Sequence, residues 1–465
     1  MSFFADANCA GSACIISLSM QSQNVSQAAP LASQDARNNP PLDLRRNKLA
    51  FGGDSMFWGI GTYFIPLTTV ITALAAQLTT DKSLIGLISL AWYVAYLLPQ
   101  LFAARLVHGK RRTMLYSVVP AIIGRQTLLV FALWLFLTQA QQPTLTVWIL
   151  IVLIAVLMIF DAFTSQAWFD MFGRALTPRA KARVITVNQL LASVGGIGAG
   201  LIVTQVLSSP ALPFPTNYAL LFFFAWIFIM LSLGAMLFIR ERVSEAPPAE
   251  ETTHSNFNAK LLEAWRSDAA FRRMLLARVF TGVENMAAAF YIVFALEKLG
   301  LPESSIGIFT IAVVLGGLLG IIFFGWLADR YGSRRVVNAA CTLQFIAPLI
   351  TLGVALLPIQ SKEFALVAIT LVMAINGAVN RSMMVGFFSY AQDSAPEADR
   401  PIYVGAVSTV AGTASLLPLL GGVMINAFTS AGMSGLAYVV LFAVAAGVAA
   451  IGAWISYGLP KPRNA

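Results

Sequence analysis

Twelve apolar runs, each about 20 residues or longer, narrow the choice of fold more than anything else in this chain. They open at Ala50, Leu84, Thr113, Thr146, Val184 and Tyr218, and again at Met274, Ile306, Val336, Phe364, Tyr403 and Leu436. A helix rises about 1.5 Å per residue, so about 20 residues cross about 30 Å of hydrocarbon. Strands of a barrel would alternate apolar and polar positions, and these runs do not. With 58% hydrophobic and 11% charged residues, the chain has too little polar surface for a soluble globule. The expected fold class is an all-α polytopic membrane protein with twelve transmembrane helices.

The basic residues orient those helices. Lys82, Lys298 and Lys362 fall on one side and Arg125, Arg278 and Arg381 lie within the runs, while every other Lys and Arg falls on the opposite side. Short loops rich in Lys and Arg stay in the cytoplasm, so both termini are expected there. The short loops fit a multi-pass protein of a bacterial plasma membrane. The formal net charge of +9 is spread over loops and not gathered into an aromatic-interleaved patch, which argues against nucleic acid.

The two halves of the chain match one another. Ser83-Leu84-Ile85-Gly86 answers Ser304-Ser305-Ile306-Gly307, Gly109-Lys110-Arg111-Arg112 answers Gly332-Ser333-Arg334-Arg335, and Val156-Leu157-Met158 answers Leu371-Val372-Met373. A six-plus-six duplication follows, giving two pseudo-symmetric six-helix bundles over 50–240 and 274–458. Residues 1–49 read as a disordered cytoplasmic tail in which Met1 or Met20 could be the start. Residues 241–273 read as a cytoplasmic linker with one surface helix, because Leu261, Leu262, Trp265 and Phe271 recur at near-helical spacing. A short cytoplasmic tail, 459–465, ends the chain. Three cysteines, Cys9, Cys14 and Cys341, make no disulfide framework.

One charged turn, Gly325-Trp326-Leu327-Ala328-Asp329-Arg330-Tyr331-Gly332-Ser333-Arg334-Arg335, interrupts otherwise continuous apolar sequence. Gly325 would permit close backbone approach, and Gly332 suits a helix stop. This stretch resembles the loop signature of the major facilitator superfamily, and with twelve spans and a mid-chain linker it implies that family's transporter fold across residues 50–458. The resemblance implies a conformational clasp: Asp329 beside the start of the eleventh span near Pro401 to Tyr403, and Arg330 or Arg334 paired with Asp393 or Asp399. The first-half copy places Phe102 and Leu106 where glycine and aspartate are expected, so only its basic end survives.

Ionisable groups inside spans are costly in lipid and should face a cavity or one another. Arg125 lies about 18 Å and Glu284 about 15 Å along their helices, near mid-membrane. Asp161 lies about 21 Å from the outer surface, with Asn376 as its repeat partner, and Gln166 matches Arg381 further in. A carboxyl that meets and loses a mobile arginine is the physical ingredient of proton coupling. We therefore expect Glu284, with Asp161 second, to carry the coupling proton, and Arg125 and Arg381 to exchange partners; static interhelical ion pairs are the alternative. Asp54, about 6 Å into the first span, reads as an interfacial gate or cap. Asp170 should pair with Arg174 four residues on or with Arg111 or Arg112. Arg278 is placed to snorkel outward.

In relatives the cavity is lined by the first, fourth, seventh and tenth spans. Trp58, Tyr63, Gln166, Asn285, Tyr291, Asn376 and Asn380 have the polar or aromatic character for an amphipathic organic substrate, although each could serve helix packing alone. The expected function is secondary transport of a small organic molecule by a monomer in the bilayer, proton-coupled, with export favoured because Gly195-Gly196-Ile197-Gly198-Ala199-Gly200 and Pro418 to Gly422 partly resemble the Gly-Pro-x-x-Gly-Gly stretch of the superfamily's drug-proton antiporters. A symporter or uniporter importing a nutrient, and a non-transporting membrane sensor, are the alternatives. No enzyme is expected: there are two histidines, His108 and His254, no phosphate-binding Gly-x-x-x-x-Gly-Lys-Ser/Thr stretch, and no Cys/His metal spacing, so no cofactor or metal is implied.

Overall fold

The structure, a computed structural model, describes residues 43–107, 110–241, 257–357, 361–396 and 399–462. The N-terminal tail with Cys9, Cys14 and Met20, and both histidines, lie outside the described residues. Among the described residues, twelve helices are long and apolar enough to cross a membrane, as the apolar runs require. In the first half these are α1 Leu44–Leu78, α2 Lys82–Val107, α3 Met114–Thr138, α4 Pro143–Ala175, α5 Pro178–Ser208 and α6 Thr216–Leu237. In the second half they are α7 Ala269–Glu297, α8 Ser305–Tyr331, α9 Ser333–Leu356, α10 Lys362–Ser394, α11 Ile402–Ser430 and α12 Ser434–Tyr457. The face where most Lys and Arg gather is called the basic face below, and the other the outer face.

Packing repeats between the halves. In the first, α1 lies against α5 and α6, α2 against α4, and α3 between α4 and α6. In the second, α7 lies against α11 and α12, α8 against α10, and α9 between α10 and α12. This is the pseudo-symmetric pair of six-helix bundles that the internal repeat predicts. Between the halves a helix, Phe257–Ser267, packs on the basic ends of α7 and α11.

Three helices are broken. Pro66 has no N–H to donate, and the chain after it winds as a π-turn over Leu67–Ile71 in α1. In α7 the helix stops at Gly282 and resumes at Asn285, leaving Glu284 in the gap. The Asn285 side chain donates to the Gly282 carbonyl at 3.1 Å, so the break does not leave that acceptor bare. In α11 a 3-10 turn, Ala414–Leu416, precedes Pro418. Breaks in α1 and α7, the first helix of each repeat, mark where a transport site is to be sought.

Among the described residues, contact between the halves is concentrated toward the outer face. There one continuous apolar core joins Phe64, Phe131 and Tyr218 of the first half to Tyr291, Phe309 and Phe442 of the second. Toward the basic face it splits into two separate clusters, one around Phe51, Met171 and Met236 and the other around Phe271, Phe387 and Tyr403. The crossings of α5 on α8 and of α2 on α11 are glycine-lined: a Cβ on Gly307 would lie 2.5 Å from the Thr204 backbone nitrogen and closer still to Gly200. A Cβ on Gly422 would collide with Lys82 and come within 2.8 Å of Ser83. Thr69 and Thr310 share a hydrogen bond at 3.0 Å across the same seam.

Polar contacts finish the outer seal. Lys82 pairs with Glu297, which accepts from Tyr438 at 3.0 Å, and Tyr218 donates to Glu303 at 3.4 Å. Asp81 accepts from Ser83 and from Asn426 of α11, both at 2.5 Å. Partial burial works to raise the Asp81 carboxyl, but hydrogen bonds from Ser83 and Asn426 outweigh it and hold it below the ordinary carboxylate range. These polar contacts between the halves all lie on the outer side.

Two outcomes are expected. Because the folded-state value of Asp81 is lowered, its contribution is present above the ordinary carboxylate range and lost as outside pH falls through it. Labelling of a cysteine introduced at Thr69 should therefore quicken in strong acid, and less so in Asp81→Asn, whose starting rate is already higher. Gly307→Leu should part the seam, so that an impermeant maleimide applied from the outer face labels the Thr69 cysteine at least about tenfold faster, since an overpacked crossing costs about 1–3 kcal/mol.

Candidate functional site

Asp54 sits deeper than its distance from the first apolar residue implies. The helix starts at Leu44, not Ala50, because Asp43 caps it by accepting from the Arg46 N–H at 3.2 Å. Ten residues then place Asp54 about 15 Å along the axis, so it is no interfacial gate. Its carboxylate is buried, accepting from Ser232 of α6 at 2.5 Å and from the Trp168 indole of α4 at 2.6 Å. Arg125 of α3 stands 4.0 Å from the same carboxylate, donates to the Ile229 carbonyl at 2.9 Å and lies 5.1 Å over the Trp58 ring. One guanidinium thus ties α1, α3 and α6 together.

Beside this group is a cavity of about 490 Å³, lined wholly by α1 to α5. Asp161, Thr164, Ser165, Trp168 and Phe169 supply one stripe of α4, at the three-and-four spacing of a single helix face. Trp58 and Tyr63 line it, with Tyr96 of α2 and Asn188 of α5. Phe169, 60% exposed, marks an open rim near the basic end of α4. Gln166 does not line this cavity: it lies off the stripe occupied by Ser165 and Phe169.

The second half answers with a different chemistry. Glu284, buried in the break of α7, accepts from Tyr291 at 2.9 Å, from Asn376 of α10 at 3.4 Å and from Gln344 of α9 at 3.5 Å. Asn380 in turn donates to Asn376 at 2.9 Å. All three donors to the carboxyl are neutral, and among the described residues no cation pairs with it. Asn285, Asn376 and Asn380 face Thr68, Ser89 and Tyr93 across a small cleft between the halves. The expected group Glu284, Asn285, Tyr291, Asn376 and Asn380 therefore assembles, but apart from the cavity of Trp58, Tyr63, Arg125 and Asp161. Arg381 continues helix α10, and its side chain lies outside the described residues.

The clasp is not closed in this structure. Asp329 and Arg330 are exposed, Arg330 lies 5.8 Å over the neighbouring Tyr331 ring, and Gly325 has open space around it instead of a close neighbour. Asp393 accepts from Ser333 at 2.6 Å and Arg334 donates to the Tyr457 carbonyl at 3.1 Å, so neither arginine makes the expected pair with Asp393. The physical reason lies in α11, whose basic end packs on α7, α10 and the linker helix and away from the Asp329 turn. There Tyr403 donates to Asp268 at 2.6 Å and its ring stands 4.3 Å from that of Phe271. Gly332 does stop α8, with φ of +79° and its N–H on the Ala328 carbonyl at 2.9 Å; Arg335 donates its N–H to Gly332 at 3.2 Å.

Other placements are mixed. Asp170 pairs with Arg174 at 2.7 Å as helical spacing predicts, and accepts from Thr113 at 3.0 Å; Arg174 reaches the carbonyls of Lys110 and Arg111. Arg278 does not snorkel outward but lies 5.4 Å over the Phe387 ring. From the sequence Asp54 is placed too near the surface, and Trp168, Ser232, Tyr96 and Gln344, which touch or line these groups, are not singled out. For Asp54 the missed signal was the aspartate cap at position 43, which starts the helix before the apolar run does.

The sequence pattern of the Major Facilitator Superfamily matches residues 49–296 and 274–465. The shikimate transporter of Escherichia coli (strain K12) is 34% identical over 116 residues, 23% of this chain and 26% of that one, so the match spans about a quarter of that relative. The nucleoside transporter NupG has a similar structure, with a TM-score of 0.61 at 14% identity over 90% of this chain and 99% of that one. A bacterial homologue of the human lysosomal transporter Spinster, in an inward-facing and unoccupied conformation, gives 0.58 at 16% over 90% and 95%. A POT family transporter in complex with 5-aminolevulinic acid gives 0.62 at 11% over 90% and 97%.

Deleting one member of a buried ion pair leaves the other charge uncompensated, at a cost of about 3–5 kcal/mol. Asp54→Ala should therefore lower unfolding stability in detergent by about 3 kcal/mol, and adding Arg125→Leu should recover much of the loss, both read from denaturation midpoints.

Proposed function

The chain belongs to the major facilitator superfamily, and from that premise we propose that it is a proton-linked secondary transporter of a small organic molecule, working by alternating access with its basic face in the cytoplasm. In that orientation, which the distribution of Lys and Arg supports, the seal on the outer face and the split core make this an inward-open state. The neighbours in solved structures carry solutes of several kinds, so the substrate is argued from this chain's own cavity.

Glu284 carries the proton in this proposal. The observation that supports it is the carboxyl's surroundings: it lies in a helix break at the meeting of the two halves, held by Tyr291, Asn376 and Gln344 and by no cation among the described residues. An ionised group in such a place is costly, and taking a proton cancels the charge. Arg125 sits otherwise. With Asp54, Ile229 and Trp58 already about it, Arg125 in this state is a static interhelical tie, and partner exchange belongs to the step in which α3 and α6 move.

The glycines of α5 serve helix contact: a Cβ on Gly195 or Gly196 would strike Ile60 or Tyr63 of α1. They add nothing to the case for export. Direction in a secondary transporter follows the gradients, and with proton and solute exchanged, inward proton flow drives the solute out.

The test is a reconstituted Glu284→Gln variant, which keeps the shape of the side chain and most of its hydrogen bonds. Flux driven by an imposed pH gradient should fall to the rate seen without a gradient, while solute exchange in the absence of a gradient persists. Undiminished gradient-driven flux would remove Glu284 from the coupling.

A further inference from the structure

We propose that the cavity of the first half selects organic cations, with the Asp161 carboxylate as counter-ion and the aromatic walls as the seat of the cation's apolar body; this rests on the transporter reading above. The charges facing the cavity are unequal. Asp54 is fully engaged, by Ser232, Trp168 and Arg125. Arg125 is engaged in turn by Asp54, the Ile229 carbonyl and the Trp58 ring, so it has little left to offer an anion. Asp161 remains. It is half-buried, lines the same cavity, and has no hydrogen bond or ion pair within bonding distance among the described residues.

The walls suit such a guest. Trp58, Tyr63, Tyr96, Trp168 and Phe169 line a space of about 490 Å³ that also holds Asp161, a volume in the range of sites for drug-sized molecules. Aromatic faces attract a desolvated cation, and Arg125 over Trp58 shows one of these rings already in that role. Ser165 and Thr164, one turn along α4 from Asp161, offer hydroxyls beside it. A carboxylate-bearing solute would meet Asp161 with like charge, and a neutral one would leave that carboxylate facing an apolar neighbour. A cation resolves both.

A charge-matched series tests this on the full chain in lipid nanodiscs: 2-(1-naphthyl)ethylamine, 2-(1-naphthyl)ethanol and 3-(1-naphthyl)propionate, with affinities from calorimetry at pH 7. The ammonium should bind at least about tenfold tighter than the alcohol, the scale of one charge-assisted contact, and the propionate weakest. Asp161→Asn should bring the ammonium to the alcohol's affinity and leave the alcohol unchanged, the latter showing that the cavity is intact. Asp161→Glu should keep the preference for the ammonium. Equal binding of ammonium and alcohol, preference for the propionate, no binding of the ammonium, or a preference that survives Asp161→Asn would each overturn the proposal. The transporter reading fails by a different sign: an ammonium that binds as expected yet crosses proteoliposomes no faster than through protein-free vesicles, under either gradient, sinks transport and not selectivity.

Discussion

An ionised side chain has few ways to exist in hydrocarbon, and this molecule uses two of them. In the first half the acid of α1 is matched by a guanidinium and two hydrogen-bond donors, so charge is met by charge. In the second half the acid of α7 is met, among the described residues, by a phenol and two amides. The halves share a backbone plan, with the first helix of each presenting an acid to its third and fourth helices, yet the electrostatics differ. In the proposed mechanism that difference lets one half remain a fixed charge pair while the other takes and releases the proton. The helix breaks fall where this matters: Glu284 reaches its donors because α7 is open there, and Asn285 covers the carbonyl that the opening would otherwise strand.

The fold was legible in the sequence because its determinants are long. Runs of about 20 apolar residues, the sidedness of Lys and Arg, and the repeated Ser-x-Ile-Gly mouth of α2 and α8 each integrate over many positions. The site was legible only in part. Glu284, Asn376 and Asn380 declare themselves as polar groups in apolar helices. The depth of Asp54 does not declare itself, because hydropathy marks where lipid begins and the cap at Asp43 marks where the helix begins, and in α1 these differ by six residues. Gln166 failed for a related reason: a helix turns about 100° per residue, so a neighbour of Ser165 can face away from the cavity that Ser165 lines. The two-cavity arrangement could not be read at all, since it depends on how far the halves stand apart.

The clasp around Asp329 is instructive in the same way. Its residues were identified by resemblance, and the pairings that resemblance implies link α8 to α11. Here α11 is held instead by Tyr403 on Asp268, at the junction of the linker helix and α7. A loop signature specifies which groups can meet, whereas the disposition of whole helices decides whether they do.

The glycine crossings of the outer seam bring backbone against backbone, and that has a mechanical consequence. Where Gly200 lies on Gly307 and Gly422 on Lys82 and Ser83, most of the parting surface is helical backbone already bonded along its own axis, and the Lys82 N–H that bonds Asn426 across the seam is the exception. Opening at these points uncovers less apolar area than opening the aromatic core beside them. In the proposed alternating access the crossings act as a fulcrum, setting where the two halves pivot, while that core and the polar latches around Lys82, Glu297 and Asp81 hold the outer face shut.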